Sequence, residues 1–252
     1  MPTHLKDEKE PVVGAAPTGA ADERSAAQAV QKMFDEIAPR YDLLNHVLSM
    51  NVDRLWWWRT ARRFRNLLSQ PQARVLDLCC GTGDMAAAVR RRSPAALIAG
   101  ADFSRGMLTR GAEKFARLEI SVVEADALQL PFPGNAFDLV VSAFGFRNLA
   151  NYDAGLREIY RVLREGGEIG ILDFSEPGGL LGKLYGVYFR NVLPRIGTIL
   201  SGVSGPYAYL PASVSRFPSP EEMLGRMGNA GFRNQSWETY SFGIAGLYRA
   251  RK

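Results

Sequence analysis

Four aspartates and a short glycine run carry the chemistry of this chain. Residues 77–84 read DLCCGTGD, with Gly81, Thr82 and Gly83 between Asp77 and Asp84. Glycines in such a loop let backbone approach a ligand closely, and a helix that starts behind them offers unpaired N–H groups. Asp102 ends the next apolar run, and Asp126-Ala127 ends the one after it. A carboxylate at the first of these positions can accept both hydroxyls of a ribose, and the second is placed for the edge of an adenine. Gly81 to Ala86 also fits the G-x-G-x-x-[G/A] dinucleotide fingerprint. Three readings therefore stand at this point: an adenosyl-type cofactor, a nicotinamide or flavin, and a purely structural turn.

Charge favours the first. A carboxylate at Asp77, just ahead of the glycines, would repel a pyrophosphate in a partly dry site. The same group can reach the ammonium of an amino-acid tail. A sulfonium ligand with such a tail carries cationic groups and tolerates acids at 77, 84, 102 and 126. The pattern points to S-adenosylmethionine (SAM).

The elements that would position these groups alternate along the chain. Strands are predicted at 74–78, 97–102, 120–126, 137–144 and 168–174, with helices from the glycine turn through Arg92, over 105–117 and over 153–164. Apolar strands separated by helices imply a parallel sheet covered on both faces. Ligands of such sheets sit beyond the carboxyl ends of the strands. FRNQSWETY and GIAGLYRAR flank Ser241-Phe242-Gly243 and read as two edge strands of a doubly wound α/β domain. Residues 1–27 read as a disordered tail. Val30, Met33, Phe34 and Ile37 then recur at helical spacing until Ala38-Pro39. Residues 53–65, DRLWWWRTARRFR, follow. At about 100° per residue, Trp57 falls on a stripe with Ala61, Phe64 and Leu68 and is expected in the core. Trp58 shares its face with Arg54, Arg62 and Arg65 and is expected at an interface, with Trp56 between the two faces.

Composition sets looser bounds. The 252 residues are 46% hydrophobic with a net charge of +5, enough for a sizeable core and only mildly basic. Cys79 and Cys80 are adjacent and the histidines are two, which makes a zinc site or a disulfide framework a poor expectation. No secretory apolar stretch opens the sequence, and no segment approaches the ~18 apolar residues of a membrane-spanning helix. A cytoplasmic protein, at most peripheral to a membrane, is expected.

Longer motifs carry a resemblance. DLCCGTGD, ADFSRGML (101–108), EADALQLPFPGNAFDLV (124–140) and YRVLREGG (160–167) are similar to the successive motifs of class I methyltransferases. YDLLN with DRLW (41–56), FGFRN (144–148), RVLREGGEIGILDFS (161–175) and LPRIG (193–197) resemble, more narrowly, the ubiquinone/menaquinone biosynthesis C-methyltransferases. The resemblance runs from about residue 30 to the end. It implies a seven-stranded, mostly parallel Rossmann-like sheet, divided here into a helical lid (28–70), a cofactor core (72–176), a substrate- or membrane-facing insertion (177–217) and a C-terminal helix and strand pair (218–252). Cys79 replaces a loop glycine, Ala143 a SAM-contacting serine, Asp173 a usual glutamate, and Asp53 a histidine found in many members.

The implied reaction is SAM-dependent C-methylation of a prenylated quinol ring, demethylmenaquinol or its ubiquinone-pathway counterpart. SAM is expected on Asp77, Gly81, Thr82, Gly83, Asp102, Asp126, Ala127 and Ala143. Arg147 is expected to hold the quinol oxygen, and Asp53 is a candidate base that is also a candidate helix N-cap. Tyr41 and Asn148 are expected at the substrate, and no metal is expected. Residues 180–200, apolar and aromatic with Lys183, Arg190 and Arg195 and no acid, read as a surface for anionic lipid, with a helical pair or a homodimer contact as alternatives. RNA methylation is the competing activity, since aromatic and arginine residues also stack bases. No attached recognition module or base-methylation motif supports it, and no nucleic-acid partner is expected. A SAM-binding scaffold without catalysis is a further alternative.

Overall fold

The computed structural model describes residues 13–15, 17, 19–38, 51–177 and 206–252. Seven strands form one sheet in the order β3-β2-β1-β4-β5-β7-β6: β1 Arg74–Leu78, β2 Leu97–Asp102, β3 Ser121–Glu124, β4 Phe137–Ala143, β5 Leu163–Phe174, β6 Arg233–Tyr240 and β7 Ala245–Arg251. The first five are parallel, and β7 runs antiparallel to both β5 and β6. The strand order reverses at β1, which is followed outward by β2 and β3 on one side and by β4 and β5 on the other, and this switch point opens a crevice at the carboxyl ends of the central strands.

Helices cover both faces. On one lie α2 Val52–Arg63, α3 Arg65–Leu68, α4 Asp84–Arg92 and α5 Arg105–Arg117, packed through Trp57, Phe64, Val89 and Phe115. On the other lie α6 Tyr152–Val162 and α8 Pro220–Asn229, through Leu156, Ile159, Met223 and Met227. The buried strands are near-continuous apolar runs because both faces are covered. Side-chain caps fix where the helices begin. Ser104 accepts the N–H of Met107 ahead of α5, Asn151 that of Ala154 ahead of α6, and Ser219 with Glu222 closes a capping box at α8.

Two further helices lie at the open end of the sheet. α1 spans Glu23–Ile37 and α7 spans Pro206–Arg216. α1 begins inside the stretch expected as a tail, because Asp22 and Ser25 form a capping box that starts it there. Ahead of it the backbone N–H of Ala15 donates to the carbonyl of Leu149 at 2.7 Å.

Several sequence expectations shift. β7 is no edge strand: it lies between β5 and β6, since only a central place buries Leu247 and Tyr248 on opposite faces. The EGG turn at 165–167 is drawn into β5, with Gly166 at φ +76° beside Arg251. β3 stops at Glu124, so Asp126 stands on the loop beyond it. Trp56, expected between two faces, is fully buried: its Nε1 donates to Ser241 Oγ at 2.8 Å, and its ring meets those of Phe144 and Phe174. Trp57 is buried and Trp58 is 53% exposed, as the helical stripe requires. Arg62 lies over the Trp58 ring at 5.2 Å.

Candidate functional site

The turn from β1 into α4 is built from left-handed backbone. Cys79 has φ +56°, Gly81 +53° and Gly83 +90°. Gly83 is the N-cap of α4, and a Cβ there would lie 2.3 Å from the Phe115 ring, so side chain and backbone both demand glycine. Cys79 has no such freedom. Left-handed backbone at a non-glycine residue costs about 1–2 kcal/mol, held here by the packing of its Cβ against Gly145. Burial and the surrounding carboxylates push the Cys79 thiol well above its ordinary range, so it stays protonated.

Asp102 closes β2 and anchors this turn. Its Oδ2 accepts the N–H of Gly81 at 2.8 Å and its Oδ1 that of Ser104 at 2.9 Å. Burial raises its pKa to about 6 against the pull of those bonds. Asp77 lies in mid-strand, opposite Gly100 of β2 and Val141 of β4. It is 1% exposed; Oδ2 accepts the N–H of Ala86 at 2.8 Å, and Oδ1 has no partner. Desolvation, and next the charges of Asp102 and Asp84, push its pKa up to about 8.

A cleft opens above these residues. Gly81, Asp102, Asp126, Ala127, Ala143 and Asn148 all line it. Asp126 is exposed and accepts the Leu128 N–H with Oδ1 at 2.9 Å. Asn148 is 6% exposed, and both the nitrogen and the oxygen of its carboxamide lack a hydrogen-bond partner. An unpaired buried amide costs about 1–3 kcal/mol. A donor and an acceptor left unpaired at the wall of a cleft are the mark of a ligand contact.

The roof is α1, a feature sequence reasoning placed only as part of a lid. Ala27 and Phe34 line the cleft. Gln31 Nε2 donates to the carbonyl of Phe103 at 2.6 Å, and Asp35 Oδ1 accepts from Ser104 Oγ at 2.6 Å and from the N–H of Gly106 at 3.0 Å. Glu23 accepts from Asn151 Nδ2 at 2.8 Å on the opposite bank. The polar pair Gln31 and Asp35, one turn apart beside the apolar Ala27 and Phe34, was the available signal.

The chain belongs to the ubiE/COQ5 methyltransferase family. The family model matches residues 20–252. The demethylmenaquinone methyltransferase of Deinococcus radiodurans is 47% identical over 230 residues, covering 90% of this chain and 94% of that protein. The Thermus thermophilus protein of the same name is 48% identical over 220 residues, covering 86% and 98%. The ubiquinone/menaquinone biosynthesis C-methyltransferase of Geotalea daltonii is 42% identical, covering 89% and 97%. Among solved structures, the [4+2]-cyclase SpnF aligns over 96% of this chain and 99% of its own with TM-score 0.66 and 19% identity. A SAM-dependent methyltransferase of Thermotoga maritima, described as a possible histamine N-methyltransferase, aligns over 88% and 99% with TM-score 0.61 and 18% identity. These two share the fold; the relatives carry the family.

The site suits the methyl donor such an enzyme needs. Asp102 and Asp126 offer acceptors in the cleft, and the glycine turn admits ligand against backbone; Asp77, buried behind that turn and not among the residues that line the cleft, keeps one carboxylate oxygen unpartnered. Thr82 and Gly83 shape that turn without lining the cleft.

Other expected residues stand elsewhere. Asp84 leaves the acid cluster: its carboxylate pairs with Lys114 Nζ at 2.6 Å. Asp53 is the second residue of α2, buried, accepting the N–H of Arg54 at 2.7 Å, and it does not line the cleft; Asn51, not Asp53, holds the N-cap. Arg147 does not line the cleft either. Its Nη1 pairs with Asp173 Oδ1 at 2.8 Å and donates to the Phe144 carbonyl, its Nε reaches Ser213 Oγ at 3.4 Å, and its guanidinium stands 5.3 Å from the Phe174 ring. The loop after β4 brings Arg147 back under itself, so the guanidinium is spent on holding that loop. Tyr41, Asp42, Asn45, His46 and the segment 180–200 lie outside the described residues. No metal-binding cluster is found among the described residues.

Proposed function

We propose that this enzyme transfers the methyl group of SAM to a ring carbon of a prenylated quinol, converting demethylmenaquinol to menaquinol. The observation that carries the reading is the pairing, in one cleft, of acids suited to a cationic donor with the unpaired carboxamide of Asn148 beside the aromatic wall of Phe144. The relatives named demethylmenaquinone methyltransferase, matched along nearly their whole length, supply the substrate class.

A ring carbon becomes nucleophilic when the neighbouring phenol ionises, and an oxidised quinone is electrophilic, so the reduced form is the substrate. A phenol of this kind titrates at about 10. When bound, SAM supplies an electrophilic methyl and a positive sulfur that favours the phenolate. Asn148 donates its N–H to the quinol oxygen and lowers the cost of its charge. Arg147, fixed by Asp173, holds the Phe144 carbonyl and so sets the wall against which the ring lies. Phe144, Phe174 and Trp56 exclude water, which strengthens each of these interactions.

The substrate is dissolved in lipid, and the enzyme meets it at the surface. Among the described residues no helix is long and apolar enough to cross a membrane. Leu55 and Trp58 are exposed on α2 with Arg54 and Arg62, Arg65 follows at the start of α3, and α2 carries no exposed acid. Each such cation contributes ~1 kcal/mol beside anionic headgroups. The ubiquinone-pathway benzoquinol is the second reading, favoured by the double name of the Geotalea relative.

Incubation of the purified protein with SAM and chemically reduced demethylmenaquinone is expected to yield a product heavier by one methylene. The benzoquinol precursor runs in parallel, and absence of product from both refutes the assignment.

A further inference from the structure

A second hollow, of ≈ 630 Å³, lies at the same end of the sheet between the loop after β5, the α7–α8 connection and the β6–β7 turn. Its apolar lining is formed by Phe174, Val214, Phe217, Trp237, Phe242 and Tyr248. Trp237 lies over Tyr248 with ring centroids 4.2 Å apart, and Phe217 meets Tyr248 edge-on at 6.2 Å.

The serines at its wall are already bonded to their neighbours. Ser175 Oγ donates to the Gly243 carbonyl at 2.7 Å, Ser215 Oγ to Glu176 at 2.7 Å, and Ser219 Oγ to Glu222 at 2.9 Å. A guest gains little there from hydrogen bonding. A hydrocarbon gains from every methylene it removes from water, about fourfold in affinity for each one fully buried.

The hollow also adjoins the cleft. Phe174 belongs to its wall and Phe144 to the cleft, and their rings are 4.5 Å apart. Among the described residues this aromatic pair links the wall of the cleft to the aromatic floor beyond. At the outer rim Phe242 is 87% exposed with φ +60°, between Ser241 at +47° and Gly243 at +92°. A large apolar side chain held in left-handed backbone and turned to solvent costs stability, and costs of this kind gather where a ligand is received.

We propose that this hollow holds the isoprenoid chain of the substrate, whose ring end lies in the cleft, and that Phe242 forms its entry. The proposal rests on the quinol reading above and adds where the tail goes. Recognition of the tail is then apolar.

Two measurements test it. Thr239 lies on the edge strand β6 at the wall of the hollow, exposed and hence tolerant of a larger residue. Thr239→Trp is expected to raise the ratio of KM for a long-tailed quinol to KM for a tailless one by about tenfold or more. Phe242→Gly, which suits the left-handed turn, is expected to move the ratio the same way. Independently of turnover, a brominated prenyl alcohol is expected to quench the emission of Trp237, and the quenched component disappears in Trp237→Phe. An unchanged KM ratio in both variants, or quenching that survives in Trp237→Phe, overturns the proposal. Quenching lost as expected in a protein that methylates no quinol at all would keep the apolar hollow and sink the quinol reading instead.

Discussion

Replacing Asp77 by asparagine is expected to make the free protein more stable and the enzyme a poorer binder of SAM. The carboxyl is buried in mid-sheet with one oxygen unpartnered, and its pKa stands at about 8 against an ordinary 3.8. At pH 7 the folded chain therefore keeps a proton that the unfolded chain releases. A raised pKa favours folding below the unfolded value, and that contribution is lost as pH climbs through the folded one, here between about 4 and 8. Three units separate pH 7 from the ordinary value, which corresponds to about 4 kcal/mol lost by pH 7. Asparagine does not ionise in the unfolded chain and still accepts the Ala86 N–H, while its own N–H₂ is left unpaired at about 1–3 kcal/mol. The net gain is about 1–3 kcal/mol at pH 7, several degrees in Tm for a domain of this size.

Binding runs the other way. An ammonium beside Asp77 draws out the proton, so SAM uptake by the native protein at pH 7 releases about 0.9 proton, the fraction carried by a group titrating at about 8. Affinity rises with pH toward 8. The asparagine variant releases none and binds about 10- to 100-fold more weakly, the worth of a charged hydrogen bond. Calorimetry in two buffers of different ionisation enthalpy reads the proton directly, and thermal melts read the stability. Unchanged affinity with no proton release in the native protein would refute the reasoning.

Gly83→Ala forces a Cβ to 2.3 Å from Phe115 at φ +90°, and a loss of about 2–4 kcal/mol in denaturant unfolding is expected, together with loss of SAM binding. Asn148→Leu removes two orphaned polar atoms at similar volume; the apo protein gains about 1–3 kcal/mol by thermal unfolding, and kcat on the reduced quinol falls by at least tenfold. Arg147→Ala leaves Asp173 buried without its ion pair, so unfolding by denaturant is expected to show a loss of about 3–5 kcal/mol. Loss of turnover in that variant with undiminished stability would show instead that the guanidinium works on the substrate.

The acids at strand ends were legible because strand periodicity and the glycine turn fix where β2 and β3 stop to within a residue or two, and so where Asp102 and the loop with Asp126 project. Asp84 misled, since its place near the glycines says nothing of Lys114, thirty residues on, which draws it outward. Arg147 misled in the same way: the loop after β4 is readable, but the pairing with Asp173 is made across β5.

What the sequence determined by itself is the alternation of strands and helices, the left-handed glycine turn and the type of chemistry its acids allow. These depend on neighbours along the chain, whose spacing and backbone preferences act locally. The tertiary structure alone decided the roof formed by α1, the burial of Trp56 against Ser241, the central position of β7, and the adjacency of Phe144 and Phe174. Each of these depends on contacts between distant segments, and such contacts exist only once the sheet has closed and brought those segments within reach of one another.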